Sequence, residues 1–560
     1  MPSELDLEMN AIMAAMTAKG GLLECGESVV DGVSLPYLLQ APPTLPAYFA
    51  FFCDKFADAT FLVDGDTRLT FAETYTLAQS LAGALVTTHG VNAGQSIGLA
   101  ARNSGNWVLC YMAIIMAGGC ATLLNGWWTG DELAQGIALA GCPLVLADDG
   151  RAARLAGKTH GANLLIIPHD STENLLAALG ASPNTPTELP QLAPTDPATM
   201  LFTSGSTGMA KAAWSDHRAV VQAALNYAGQ ALLFLTVLEH KGTASKTQPS
   251  TLICVPLFHV TGEIPLLLQS FAIGRKITLM PKWDAGEALR LIEAEQVTYF
   301  LGVPLMSFEL AEHPERARYD LSSCIHYAAG GAPRPIAHVD NIRKNLPAAF
   351  PLLGYGLTET NAVGCGNFNE NYIAKPTSTG RASQPLVELA ILDDAGTHLG
   401  VGEVGEVAIR SVCNFRGYWN NPAATAAAIT PDLFFRTGDL GHMDADGYLF
   451  IVDRKKDIVI RGGENISCIE VEQAIYAHPA VAEASVFGQA DARFGEVPVA
   501  VWLAKAGETL TETELHAFLT GQLAPYKIPV HLWQTSEQLP RLGTEKVDKR
   551  ALRAAYADHT

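Results

Sequence analysis

Residues 201–212 read LFTSGSTGMAKA. An apolar run ends at Thr203. Ser204, Gly205, Ser206, Thr207 and Gly208 then pack hydroxyls and glycines together ahead of Lys211. Glycine lets the backbone bend so that successive N–H groups converge on one anion. The hydroxyls add donors, and the lysine adds a compact positive charge. The chemistry this suits is phosphate binding. It is not the P-loop of the NTPases, which needs G-x-x-x-x-G-K-[ST]; from Gly205 this chain reads G-S-T-G-M-A-K-A. A polar turn is the plain alternative, but small and hydroxylic residues run unbroken from Thr203 to Gly208, directly after a buried strand.

Alternating elements must position such a loop. Thr70-Phe71-Ala72-Glu73 fits a capping box that opens an Ala/Leu-rich helix to about residue 88. SIGLA (96–100), PLVLA (143–147), ATMLFT, TLICVPL, KITLM, VTYFLGVP and CIHYAAG read as strands. Helical periods lie between them, as in 216–235 and 285–295. This is a βαβ pattern, an α/β fold with parallel sheets covered on both faces, whose ligands sit at the carboxyl ends of strands. Prolines 183, 186, 190, 194 and 197 mark a connector or surface loop before ATMLFT, and another loop spans about 239–250. After Gly405 the pattern shifts to short strands with DG turns, and a compact αβ pattern runs from about 457 to the end.

Composition narrows the function. The chain has 560 residues, 48% hydrophobic and 17% charged, and a formal charge of −20. That is globular, and it argues against a nucleic-acid partner. A local site can still bind a nucleotide. Ten scattered cysteines form no C-x-x-C pair, which points to free thiols and a cytoplasmic location. The N-terminus reads as a short amphipathic helix (Leu5, Met9, Ile12, Met13, Met16), not a signal peptide. Residues 107–124 carry no charge and reach the length of a membrane span, but Gly118-Gly119 reads as the end of a buried helix. No stable membrane insertion is expected.

The loop at Thr203–Lys211 resembles the phosphate loop T-S-G-[ST]-T-G-x-P-K-G of the adenylate-forming superfamily, which includes acyl-CoA synthetases, adenylation domains and firefly luciferase. Ala210 and Ala212 depart from the family's Pro and Gly, so a mobile but working loop is expected. Further motifs follow in the family's order across about residues 40–555. GGAP at 330–333, with Gly331, Ala332 and Pro333, looks like the adenine-binding turn. GYGLTET at 354–360, with Gly354, Tyr355, Gly356, Thr358 and Glu359, looks like the motif that contacts adenine and phosphate. Tyr355 offers an aromatic face to a purine, Thr358 a hydroxyl to phosphate, and Glu359 a hard carboxylate for Mg²⁺. Thr203 is placed beside Glu359 as a metal contact.

RTGDLG at 436–441 resembles the ribose motif, with Asp439 able to accept from both ribose hydroxyls. In VDRKKDIVIRGGENIS (452–467), Arg454 would reach ribose or phosphate, and Lys456 falls at the family's interdomain hinge. Gly462-Gly463 would let the pantetheine arm of CoA pass close to the backbone. Lys455 reads as part of a solvated turn. LPRLGTEKVDKRALR resembles P-[RK]-x-x-[ST]-G-K-[ILV] and places Lys546 where the family's adenylation lysine lies. Glu545 replaces the usual glycine, which leaves the loop's path open; Lys549 and Arg550 read as decoration of a helix face. DADG at 444–447 lacks the downstream calcium glutamate and reads as a hairpin turn.

The resemblance implies a large N-terminal domain (1–455) of layered βαβ sheets plus a β-rich subdomain, and a small mobile α+β domain (456–560). It implies attack of a carboxylate on the α-phosphate of ATP, release of pyrophosphate, then transfer of the acyl group to coenzyme A. Lys546, Thr203, Glu359 and His259 would be the catalytic set. His259 stands in PLFHVTGE where amino-acid-activating relatives carry an aspartate. That favours an acid without an ammonium, and the apolar stretches GVPLMSF and YAAGGAP favour a fatty or aryl one. Three alternatives are an enzyme that loads a carrier protein, a non-enzymatic nucleotide sensor, and a luciferase-like oxygenase on fold analogy alone. A homodimer is compatible with this reading.

Overall fold

The computed structural model describes the chain except residues 1, 170, 183–187, 204–209, 244–246, 333, 347–348, 543–545 and 558–560. The strands read from the sequence divide between two large sheets. Ser96–Ala100 lies inside a seven-stranded sheet, flanked on one side by Leu144–Ala147 and on the other by Cys120–Leu123 and then Pro197–Thr203, all parallel. A nine-stranded sheet holds Ser250–Ile253, Lys276–Leu279, Tyr299–Gly302, His326–Ala329 and Phe350–Gly356, also parallel. Sequence periodicity finds such strands but not their partners, because a strand buried on both faces reads as one apolar run in either sheet.

The uncharged stretch splits as its glycines require. Gly105–Met116 is a helix with all twelve residues buried. Ser104 caps it, its hydroxyl accepting from the Trp107 amide at 3.1 Å. Gly118 then takes φ +84°, and a Cβ there would lie 2.8 Å from Pro190. Among the described residues one helix, His217–His240, is long and apolar enough to cross a membrane by length and composition. Two-thirds of its apolar window (67%) is buried in this fold, and Asp216 caps it. The capping box at Thr70 and Glu73 forms and opens the helix Phe71–Thr87. The N-terminal helix Glu4–Thr17 docks on the large domain through Asp6, which accepts from Asn371, Arg381 and Tyr448 at 3.1 Å each. All ten cysteines are free, nine of them buried.

The β-rich unit begins earlier than Gly405. Val387–Leu392 pairs with Gly405–Ser411, and Phe435–Met443 and Leu449–Arg454 complete a four-stranded antiparallel sheet. Asp444–Gly447 is the turn between its last two strands, with Asp444 accepting from the Asp446 and Tyr448 amides. Beyond it lies a separate small core built on Val459, Val471, Trp502, Leu515 and Leu519. Asp453 ties the two units. It lies on the last strand of the β-rich sheet and accepts from the amides of Cys468 (2.5 Å) and Ile469 (3.3 Å) at the start of the helix Cys468–Tyr476. Lys549 is not surface decoration: its ammonium meets Glu472 at 2.8 Å and the Val486 carbonyl at 3.0 Å, fixing the last helix to this core. Lys455 is exposed, as a solvated turn requires, and pairs with Asp394 at 2.7 Å.

Candidate active site

The site forms where strand ends from several sheets meet a loop of the small domain. Thr203 ends its strand and lies opposite Lys211 in the returning strand Lys211–Asp216. Ser204, Gly205, Ser206, Thr207 and Gly208 between them lie outside the described residues, as does Pro333. Both strands pack against the 3₁₀ turn Thr358–Thr360. That turn is tightly made. Asn361 (φ +48°) and Ala362 (φ +64°) follow it in the left-handed region, a strain that clusters at functional sites. The Asn361 amide pays for its conformation by donating to Ser215 Oγ at 3.0 Å and the Cys413 carbonyl at 2.8 Å.

The turn buries Glu359, which is only 7% exposed. Burial pushes its carboxyl up, against the Tyr418 hydroxyl and the charges of Arg454 and Lys211. The Tyr418 hydroxyl donates to Glu359 Oε1 at 2.8 Å, and the Lys211 ammonium sits 4.6 Å over the Tyr418 ring. Sequence reading missed Tyr418. Its register opposite Ala213, 59 residues from Glu359, is a tertiary fact with no local signal.

A second constellation lies on the β-rich sheet. The Tyr355 hydroxyl donates to Asp439 Oδ2 at 2.7 Å, and Arg454 Nε meets Asp439 Oδ1 at 3.1 Å. Asp439 is 4% exposed, so both partners hold its carboxylate in one orientation while each oxygen keeps a free lone pair. The bond leaves the Tyr355 ring as a fixed face. Gly354 beside it is exposed, and a Cβ there would meet nothing within 4 Å. Gly356 is different: a Cβ would lie 1.9 Å from the Ala362 carbonyl oxygen.

Lys546 enters from the small domain. With His259, Thr261, Gly302, Val303 and Gly331 it lines a narrow cavity of about 10 Å³. Gly331 takes φ +78°, and its missing Cβ would sit 3.2 Å from Lys546 Cε. Ala332 adjoins it. Burial lowers the Lys546 ammonium to about 8; Arg454 pushes the same way, and Asp439 and Glu359 oppose. His259 caps a short helix, its Nδ1 accepting from the Thr261 amide at 3.3 Å. Its proton is therefore assigned to Nε2. Burial and then the Lys546 charge depress the imidazole to about 3, so it stays neutral.

The structure thus brings together Thr203, Lys211, Gly331, Ala332, Gly354, Tyr355, Gly356, Thr358, Glu359, Asp439, Arg454, His259 and Lys546. Gly462 (φ +60°) and Gly463 (φ +94°) stand apart, exposed at the hairpin tip between Val459–Arg461 and Glu464–Ile466. A cavity of about 550 Å³ lies elsewhere, bordered by Asp6, Met13, Leu233, Phe368 and Arg381, and includes none of these residues. Gly356→Ala should lower the melting temperature and abolish nucleotide binding in calorimetry, because the turn carrying Glu359 must move. Gly354→Ala should fold like the wild type and weaken ATP binding at least tenfold, since its methyl enters open space beside the Tyr355 ring.

The chain matches known proteins along most of its length. Residues 49–419 match the family model for AMP-binding enzymes, and residues 470–546 match that for the AMP-binding enzyme C-terminal domain. The chain is 30% identical over 553 residues to a long-chain-fatty-acid–CoA ligase of Bacillus subtilis (strain 168), covering 92% of this chain and 96% of that one. It is 31% identical over 499 residues to a feruloyl-CoA synthase of Amycolatopsis sp, covering 89% and 96%. The solved structure of O-succinylbenzoate coenzyme A synthetase from Bacillus subtilis, in complex with ATP and magnesium ion, superposes with a TM-score of 0.76 at 25% identity, over 90% of this chain and 99% of that one. The chain belongs to the AMP-binding enzyme family, the adenylate-forming acid–CoA ligases.

Proposed function

We propose that this ligase activates a hydrophobic fatty or aryl acid as its acyl-adenylate and passes the acyl group to coenzyme A, with Mg²⁺ as the metal and the cytoplasm as its location. The observation that carries the reading is Lys546: a small-domain ammonium held against His259 and Gly331, within the field of Glu359, Asp439 and Arg454. Two anions, a carboxylate and a triphosphate, must approach each other, so neutralising charge is the main task. Lys546 and Lys211 supply it from opposite domains. Tyr355 offers its ring to the adenine, and Asp439 accepts from the ribose hydroxyls while Arg454 steadies it.

Among the described residues no cluster of three His, Cys, Asp or Glu exists to cage a metal. One carboxylate is nonetheless what Mg²⁺ asks of a protein when phosphate and water complete its shell. Glu359 fits: Tyr418 takes one of its oxygens and leaves lone pairs over. Thr203 would be its neighbour. Bound there, the metal would neutralise phosphate charge and draw Glu359 back to the carboxylate form. His259, neutral and fixed by its own cap, gives the acid pocket no charge with which to prefer or repel an ammonium. Val255, Pro256 and Val303 keep the lining apolar. The relatives named as CoA ligases favour coenzyme A over a carrier protein as acceptor. Gly462-Gly463 is the segment suited to admit the pantetheine arm.

The direct test is product analysis with Mg-ATP and a panel of fatty, aryl and amino acids, with and without coenzyme A. AMP, pyrophosphate and acyl-CoA with an apolar acid are expected. Adenylate without CoA transfer would point to a carrier instead, and ADP would overturn the reading. The Lys546 ammonium must be charged to act, and it loses its proton as pH rises through about 8. Therefore kcat/KM for ATP, which reports the free enzyme, should fall about tenfold per pH unit above that point. Lys546→Arg, which stays charged, should flatten that alkaline limb even if its maximum rate is lower.

A further inference from the structure

Tyr355 and Asp439 meet at the nucleotide site, but they belong to different sheets. Tyr355 lies on Phe350–Gly356 of the nine-stranded sheet, and Asp439 on Phe435–Met443 of the β-rich sheet. Their 2.7 Å bond therefore depends on the angle between two sheets. An apolar seam of Cys365, Ile391, Val407 and Leu449 presses the sheets together. Apolar contact is non-directional, so it sets closeness and not angle. Near the site, the Phe415 amide donates to the Glu359 carbonyl at 2.8 Å, and Asn361 Nδ2 to the Cys413 carbonyl at 2.8 Å. Further along, the Leu449 amide donates to the Gly380 carbonyl at 2.8 Å, and the Thr379 amide to the Leu449 carbonyl at 2.9 Å. Both of these bonds meet at Leu449, which leaves rotation about that point open.

Asp6 fastens the far end of this joint. It sits in the first turn of the N-terminal helix Glu4–Thr17 and is 3% exposed. Its Oδ1 accepts from Asn371 Nδ2, Arg381 Nη1 and the Tyr448 hydroxyl at 3.1 Å each. Its Oδ2 accepts from the same hydroxyl at 3.2 Å and from the Ser3 amide at 3.1 Å. Arg381 is on the edge strand of the nine-stranded sheet, opposite Gly366, which lies opposite Gly354 beside Tyr355. Tyr448 leads into Leu449–Arg454, where Leu449 pairs with Met443 and Arg454 with Asp439. The partners of Asp6 thus stand on the same ladders as Tyr355 and Asp439, at a distance from the site. Charge-assisted bonds to one carboxylate are short and oriented, so they fix direction as well as separation. A second side-chain tie, Lys375 to Asp444 at 2.5 Å and to Asp446 at 3.2 Å, is partly exposed and open to screening by salt. The cavity of about 550 Å³ opens beside Asp6, Arg381, Met443 and Tyr448, so this flank of the joint is not filled by packing.

We propose that Asp6 is a positioning residue for the nucleotide site: by accepting from Arg381 and Asn371 on one side and from Tyr448 on the other, it fixes the angle between the two sheets that bring Tyr355 and Asp439 together. Asp6 touches no substrate. The N-terminal helix is then a brace of the site and not an appendage to the fold. The inference rests on the reading of Tyr355 and Asp439 as the adenosine contacts, but its structural arm can be read without any nucleotide.

The test uses the full chain as wild type, Asp6→Ala, Tyr448→Phe, Ser3→Ala, and the double variant Asp6→Ala/Tyr448→Phe. In hydrogen exchange of the free enzyme, the Thr379 and Leu449 amides should exchange at least about threefold faster in Asp6→Ala, while the small-domain core around Trp502 keeps its protection. In calorimetry with Mg-ATP, Asp6→Ala should raise Kd about fivefold. Tyr448→Phe, which loses only a hydroxyl, should shift both readouts the same way by less. The double variant should be no worse than Asp6→Ala, because the two changes break one shared contact. Ser3→Ala removes the helix cap but leaves both sheets bonded to Asp6, so it should bind ATP as the wild type does. With octanoate or ferulate, KM for ATP should rise in Asp6→Ala, while kcat at saturating ATP and KM for the acid stay within about twofold. Unchanged exchange at Thr379 and Leu449, additive losses in the double variant, an equal loss in Ser3→Ala, or a fall in kcat without a rise in KM for ATP would each overturn the proposal. A wild type that binds no ATP would instead strike the adenosine reading, and the exchange arm would still decide whether Asp6 sets the joint.

Discussion

A lysine ammonium taken out of water by residues of two domains is the constraint on which this site depends. Burial lowers Lys546 to about 8, and Arg454 adds repulsion that Asp439 and Glu359 only partly offset. The closed arrangement thus leaves a cation short of negative charge. A triphosphate entering beside it supplies that charge, which makes the site more favourable when filled than when empty. Closure and catalysis are then linked by one electrostatic deficit.

The large domain meets this lysine with groups that are already fixed. Tyr355, Asp439 and Arg454 are bonded in series, as are Lys211, Tyr418 and Glu359 through a ring face and a hydroxyl. Charge-assisted bonds of this kind are worth roughly 1.5–3 kcal/mol each, so little reorganisation is left for the moment of reaction. The small domain is attached more loosely. Asp453 joins it through two amides, next to the exposed Lys455 and Lys456, and the exposed glycine hairpin at 462–463 lies away from the lysine. A rotation about this join would exchange one face for the other without rebuilding either.

Local order was legible in the sequence because it is set by local rules. SIGLA became the strand Ser96–Ala100, the Thr70 box capped its helix, and Gly118 ended the uncharged helix where its left-handed backbone demanded. The site motifs were legible as residue types: a glycine at 356 where a Cβ would collide, a carboxylate where both oxygens are used, a lysine near the chain's end. Long-range pairing was not. Nothing near Tyr418 announces that it will hold Glu359, and nothing near Val387 places it in the β-rich sheet ahead of Gly405. Lys549 reads as one more helix charge until Glu472, 77 positions earlier, folds against it. Register and domain contact decide these cases, and a single sequence does not encode them within a local window.

The central claim is that Lys546 serves the first half-reaction only. The measurement is both half-reactions in Lys546→Ala: pyrophosphate exchange with acid and ATP, and acyl-CoA formation from supplied acyl-adenylate and coenzyme A. Removing the ammonium should cost adenylation several orders of magnitude, at about 1.4 kcal/mol of barrier per tenfold, and leave thioester formation within about twofold of the wild type. Equal loss in both half-reactions would contradict the account, because it would mean that the lysine holds the fold or the whole site together and not the charge of one transition state.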